Sequence, residues 1–287
     1  MQTTRVPVAD GVDLAVDTFM PDRAPADGSP SFVLVPGLAS NARMWDGVAA
    51  RLVERGHAAA TVDLRGHGRS AKPDGPYDMA TVADDLATVI GALGWERPVV
   101  AGQSWGGNVV LELANRHPDA TRGIVCVDGG WLEPCAAFDS WEACEARLAP
   151  PRLAGRRRSE IEGYIRGAHA DWPETGIAGT LANFEQRPDG TIAPWLTYDR
   201  HIEVLRGLWD HRPSEIYAGI GTPVLLVPAE TGADERVTQK REGVDMAMDR
   251  LPHARVHWID GDHDIHAQHP VELADVMLDQ VADGFFA

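Results

Sequence analysis

The chain has 287 residues, which at roughly 150 residues per domain allows one large domain or two small ones. Hydrophobic residues are 44% and charged residues 24% of the total, a balance that excludes disordered, collagenous, coiled-coil and disulfide-scaffold chains. The formal charge of −17 opposes unaided binding to nucleic-acid phosphates or to an anionic membrane surface, because the protein's own field repels them.

Taken in chain order, apolar runs at residues 5–8, 12–18, 32–35, 58–63, 98–102, 123–127, 223–227 and 255–259 read as strands. The first two alternate apolar with polar and suit an antiparallel hairpin at a sheet edge. The later ones are nearly all apolar, as parallel strands buried on both faces must be. Helical periods lie between them at 41–54, 80–93, 108–116 and 271–285, with Gly56, Gly94 and Gly284 placed as helix stops. Alternation of this kind predicts an α/β fold: a mostly parallel eight-stranded sheet with helices on both faces. Residues 131–212 break the rhythm, with helical patterns at 140–149, 159–170 and 201–210 and no buried strand. Five of the nine tryptophans fall there, Trp131, Trp141, Trp172, Trp195 and Trp209. The expected organisation is therefore one core, residues 1–130 and 213–287, carrying a helical cap at 131–212.

The start of the chain has no apolar stretch behind a basic segment, and no run approaches the ~18 apolar residues of a membrane span. A reducing cytoplasm is the expected location, with Cys126, Cys135 and Cys144 as free thiols. Only Lys72 and Lys240 among the 26 basic residues are lysines, a bias read as codon preference.

The strongest chemical signal is Gly102-Gln103-Ser104-Trp105-Gly106, directly after one strand and directly before a helix. In that context G-x-S-x-G lifts a serine above the sheet on a strained turn, with the positive end of the following helix beneath it. Serine needs a base. His263, in Asp260-Gly261-Asp262-His263-Asp264 after the last strand, lies where an α/β sheet presents its site. His263, His266 and His269 also sit close together in sequence, but their spacing in a loop does not present three nitrogens to one metal. His67, between Gly66 and Gly68, reads as a loop residue, and Arg156-Arg157-Arg158 as a solvated face or an attractor of anions.

These motifs together resemble the α/β-hydrolase fold family, over nearly the whole chain. Pro36-Gly37-Leu38-Ala39 is similar to the oxyanion loop after strand three, and residues 63–70 to the loop after strand four. Ser104 is similar to the nucleophile and Gly261-Asp262-His263 to the histidine loop. The chain departs from the family in having Pro36-Gly37 where His-Gly is common. The resemblance implies an oxyanion hole formed by the backbone N–H groups of Leu38 and Trp105. It implies a third, acidic residue: Asp128 after strand six, with Glu230 and Asp234 after strand seven as alternatives, since the commonest family position falls on Gly232. Trp131, next to the strand-six turn, is the first choice for a pocket wall. The expected activity is cleavage of a small or medium apolar ester, lactone or amide through a Ser104 acyl-enzyme, with no cofactor or metal and a small molecule as partner. The same scaffold also carries C–C bond hydrolases, lyases, cofactor-free oxidative enzymes and slow-turnover receptors.

Overall fold

The structure is a computed structural model and describes residues 1–23, 28–230 and 235–287, with the backbone alone at 235 and 236. The chain opens on a hairpin, β1 (Gln2–Pro7) and β2 (Asp13–Phe19), paired antiparallel. β3 (Phe32–Val35), α1 (Asp46–Glu54), β4 (Ala59–Asp63), α2 (Met79–Leu93), β5 (Val99–Gln103), α3 (Trp105–Arg116) and β6 (Gly123–Val127) then alternate. Six helices follow before the sheet resumes: α4 (Pro134–Ala137), α5 (Trp141–Leu148), α6 (Arg158–Ala168), α7 (Glu174–Leu181), α8 (Tyr198–Asp210) and α9 (Pro213–Ile216). A short antiparallel pair, β7 (Phe184–Gln186) with β8 (Ile192–Pro194), lies among them. Each strand is only three residues long, Phe184-Glu185-Gln186 and Ile192-Ala193-Pro194, with Ile192 buried and Glu185 and Gln186 exposed, so no apolar run of strand length announces it. The chain closes with β9 (Val224–Val227), β10 (Ala229–Glu230), α10 (Glu235–Arg250), β11 (Ala254–Val256), β12 (Ile259–Asp260), α11 (Ile265–Gln268) and α12 (Pro270–Ala282).

The sheet has eight strands in the order β1-β2-β4-β3-β5-β6-β9-β11, antiparallel up to β4 and parallel from there on. Because successive strand residues face opposite ways, Val33 and Val35 join the core under α2 and α3, while Phe32 and Leu34 join the core under α1 and α12. Helices thus cover both faces. Gly94 ends α2 in the left-handed conformation (φ 65°), and Gly56 and Gly284 stand just past α1 and α12 with φ 90° and 73°. Between β6 and β9, Val204, Leu205 and Leu208 of α8 extend the first core. Ile161, Ile165, Ile177 and Leu181 of α6 and α7 form a third cluster with Met44 and Ala267. All three cysteines are free, and burial pushes the Cys126 thiol far up. Among the described residues no helix is long and apolar enough to cross a membrane.

Candidate active site

The site forms where the C-terminal ends of β3, β5 and β6 meet the loop after β12. β5 ends at Gln103 and α3 begins at Trp105, so Ser104 is the whole turn. It sits at φ 55°, ψ −122°, a strained conformation for a residue with a side chain. The turn is held by Ser104 N–H donating to Val127 O (2.8 Å) and Gly107 N–H donating to Ser104 O (2.8 Å). Both motif glycines are required by close approach. A Cβ on Gly102 would stand 2.1 Å from Gly106 O, and one on Gly106 would stand 2.4 Å from Pro36 O.

The Pro36-Gly37 segment leaves β3 and runs against this elbow, so that a Cβ on Gly37 would come within 3.3 Å of Ser104 Cβ. Leu38, half-buried, follows, and its N–H has no hydrogen-bond partner among the described residues. Trp105 heads α3, where the first N–H groups lack an intrahelical acceptor. Ala39 is held at φ 59° and donates its N–H to His67 Nε2 (3.3 Å). His67 is fully buried, its Nδ1 lies 2.9 Å from Arg65 O, and its ring stacks on Trp105 at 5.3 Å. Burial pushes its pKa down to about 4, so the ring is neutral and Nε2 accepts. Asp63 accepts from Ala42 N–H (2.7 Å) and Arg69 N–H (3.0 Å), tying the loop after β4 to the loop after β3.

Asp128 follows β6 at φ 43°, and a Cβ on the next residue, Gly129, would strike Ser104 O at 2.1 Å. The turn at Asp128 and the elbow at Ser104 are therefore in backbone contact. Asp128 Oδ2 lies 2.5 Å from His263 Nδ1, and Gln103 Nε2 donates to His263 O (3.1 Å). The carboxylate is 2% exposed, whereas the imidazole is 53% exposed. Ser104 Oγ makes no hydrogen bond among the described residues, so Asp128 and His263 are bonded to each other and not to the serine, whose elbow touches the Asp128 turn at Gly129.

A residue not singled out from the sequence completes this cluster. Lys240 Nζ, from α10, lies 2.7 Å from Asp128 Oδ1 and 2.9 Å from Oδ2, and donates to Ala229 O (2.6 Å). Ala229 N–H donates to Asp128 Oδ1 (2.9 Å). Burial pushes the Asp128 carboxyl up, but the hydrogen bond and charge of His263 and the charge of Lys240 outweigh it and hold it below the usual range. For His263, desolvation pulls down, while the Asp128 hydrogen bond and the charges of Asp264 and Asp128 raise its pKa above the ordinary imidazole value. The one sequence signal for Lys240 was its rarity.

The other candidates lie elsewhere. Glu230 pairs with Arg241 of α10. Asp234 and Gly232 fall outside the described residues. His266 is fully buried against Trp45 at 4.7 Å, and His269 caps α12. Among the described residues, no group of three or more His, Cys, Asp or Glu side chains is placed to hold a metal.

A cavity of about 980 Å³ adjoins the cluster, lined by Trp131, Leu132, Phe138, Leu148 and Met246 together with Asp128, Lys240 and His263; Ser104 and Leu38 are not in its lining. Trp131, 8% exposed, packs its ring on Gly243. Arg158 faces a separate cavity of about 490 Å³ with Arg43, Arg69, Arg166, Glu162 and Glu174, and Arg156 pairs with Glu160. None of Arg156, Arg157 and Arg158 lines the cavity that holds His263.

Residues 32–276 match the profile of the alpha/beta hydrolase family. The 2-(acetamidomethylene)succinate hydrolase of Mesorhizobium japonicum is 29% identical over 203 residues, covering 70% of this chain and 71% of the relative. A putative carbamate hydrolase, RutD, of a Caulobacter species is 36% identical over 208 residues, covering 70% and 73%. Other relatives match over 30% of their own length. The crystal structure of E-2-(acetamidomethylene)succinate hydrolase superposes with a TM-score of 0.75 at 21% identity, over 98% of this chain and 99% of the other.

Proposed function

We propose, from the premise that this chain belongs to the alpha/beta hydrolase family, that it is a serine hydrolase acting on a small or medium, largely apolar ester, lactone or amide. The observation that carries the reading is the bond from Asp128 to His263 Nδ1 beside a serine held on a strained turn. With Nδ1–H engaged by Asp128, the His263 proton sits on the nitrogen away from the reacting centre, and Nε2 is left as the base. Ser104 Oγ attacks the carbonyl carbon as Nε2 takes its proton. These two atoms are not hydrogen-bonded in the structure, and contacts of this kind commonly form only when substrate is seated. The carbonyl oxygen becomes an oxyanion facing the N–H groups of Leu38 and Trp105, and loss of one such donor costs about 3–4 kcal/mol. Imidazolium then protonates the leaving group. Water then attacks the acyl carbon as Nε2 takes its proton, and Nε2 passes that proton to Ser104 Oγ as the acid product leaves.

The apolar wall of the cavity, Trp131 with Leu132, Phe138 and Met246, supports an uncharged substrate body. The names of the two relatives denote an acetamido compound and a carbamate, an acyl–nitrogen function in each, which supports keeping amides within the substrate class. We read residues 131–212 as a cap over the sheet's C-terminal edge, and a cytoplasmic location with a small-molecule partner suits this reading. A fluorophosphonate probe is expected to label the wild-type chain and not Ser104→Ala. Equal labelling of both sinks the proposal.

A further inference from the structure

We infer that Lys240 is a positioning residue of this centre: its ammonium pins the Asp128 carboxylate and, by sharing that negative charge with His263, sets the pH below which His263 stops acting as a base. The inference deepens the serine-hydrolase reading and rests on it.

The geometry is that of a built contact. Lys240 Nζ donates to Asp128 Oδ2 at 2.9 Å and to Ala229 O at 2.6 Å, and lies 2.7 Å from Asp128 Oδ1. Asp128 Oδ2 is the same oxygen that meets His263 Nδ1 at 2.5 Å, so cation and imidazole draw on one atom. Lys240 is 112 residues away from Asp128 in sequence and is the side chain that fastens α10 to the end of β6. Converging three acceptors on one point suits a compact ammonium and not a planar guanidinium. In a chain with 26 basic residues, only two of them lysine, this is a position where codon preference for arginine has been overridden.

The charges around His263 make the role specific. Asp128 faces it from the end of β6, and Asp264 acts on it from its own loop. Asp262, beside it, lies 3.8 Å from His169, which follows α6. His266 of α11 is buried and held neutral, its pKa pushed down to about 4. Glu133 and Glu242 line the same cavity, and Lys240 is the one lysine or arginine among the described residues that do so. Without it, the carboxylates act on the imidazole unopposed, imidazolium is stabilised, and the base form appears only at higher pH.

The test follows the rate of fluorophosphonate labelling of the full chain from about pH 5 to about pH 9 in wild type, Lys240→Gln and Lys240→Arg. In Lys240→Gln the acid limb is expected to move to higher pH. At about pH 6 this reads as a threefold to tenfold loss, roughly, relative to the variant's own plateau. Lys240→Arg fits the three acceptors less well but keeps the positive charge, which is what sets the limb, and is expected to keep the limb near its wild-type position. A Lys240→Gln limb that coincides with wild type, or moves to lower pH, overturns the inference. So does a loss that is equal at every pH, which is what a purely structural contact gives. If Lys240→Gln does not melt cooperatively, Lys240→Met serves, with the same limb shift required. Absence of labelling in wild type, or labelling of Ser104→Ala, refutes the hydrolase reading instead, and so separates the two failures.

Discussion

Asp128→Asn removes one charge and almost no volume, and the surroundings decide how the amide sits. Oδ1 accepts the backbone Ala229 N–H at 2.9 Å, a donor fixed in place, whereas the donors at Oδ2, Lys240 Nζ at 2.9 Å and the His263 ring, can adjust, so the amide oxygen takes the Oδ1 position. The NH2 group is then driven to the position of Oδ2, 2.5 Å from His263 Nδ1. An N–H aimed at Nδ1 requires that nitrogen to accept, so the ring proton moves to Nε2 and the base is lost. An imidazole locked in this tautomer costs a serine hydrolase about 10⁴-fold in kcat, or roughly 5.5 kcal/mol. Some loss of contact with Lys240 accompanies it, since an amide answers a cation less well than a carboxylate does. The assay is the acylation rate on a panel of activated esters of graded chain length, with a thermal melt to show that the variant is folded. A folded Asp128→Asn enzyme within about tenfold of wild type refutes the tautomer argument, given that the expected loss is near 10⁴. A comparable loss in Glu230→Gln refutes the assignment of the acid, because Glu230 is engaged with Arg241.

Three further outcomes follow from the charges. The acid limb of kcat/KM is expected above the ordinary imidazole pKa of ~6.5, because His263 is raised and must be neutral to act. Stability runs the other way with pH: the raised His263 contributes fully below its unfolded pKa and loses that contribution as pH rises through its folded value. The lowered Asp128 contributes above its unfolded pKa and loses its part as pH falls through its folded value. Their shared contribution therefore lies between the carboxylate and imidazole ranges, and melts of wild type and His263→Ala across pH should differ most there; a constant difference contradicts the pairing. The third outcome concerns the loop after β4. Arg65 and Asp85, at 0% and 2% exposure, form a two-bond ion pair at 2.6 and 2.8 Å. Asp85→Ala strands a buried guanidinium at a cost of about 3–5 kcal/mol, which calorimetry should read as a fall in Tm of roughly 6–20 °C. A fall of only a degree or two would mean that water reaches Arg65.

Much of this architecture is written locally. Phe32–Val35 and Gly123–Val127 are strands over the residues their apolar runs mark, and the turn at Ser104 is marked by glycines that leave no room for a Cβ. What escaped is what locality cannot encode. α10 runs from Glu235 to Arg250 with few apolar residues and no strong period, so nothing in its pattern announces a helix. The pairing of β7 with β8 involves two strands of three residues each, too short for an alternating pattern to show. Lys240 meets Asp128 only because α10 folds back across the sheet.

The choice of acid shows the same limit more sharply. β6 and β9 are neighbours in register, with Val127 opposite Val227 and Asp128 N–H donating to Val227 O. The two family positions for the acid thus leave the sheet side by side, and nothing in either strand distinguishes them. The difference is made one step later. β10 pairs parallel with β12, Ala229 opposite Ile259 and Glu230 opposite Asp260, and this carries the chain after β9 toward the strand that precedes the histidine loop. Ala229 thereby presents its N–H to Asp128 and its carbonyl to Lys240, while Glu230 is directed to Arg241. A two-residue strand pairing, with no sequence signature of its own, leaves Asp128 as the carboxylate that His263 Nδ1 meets among the described residues.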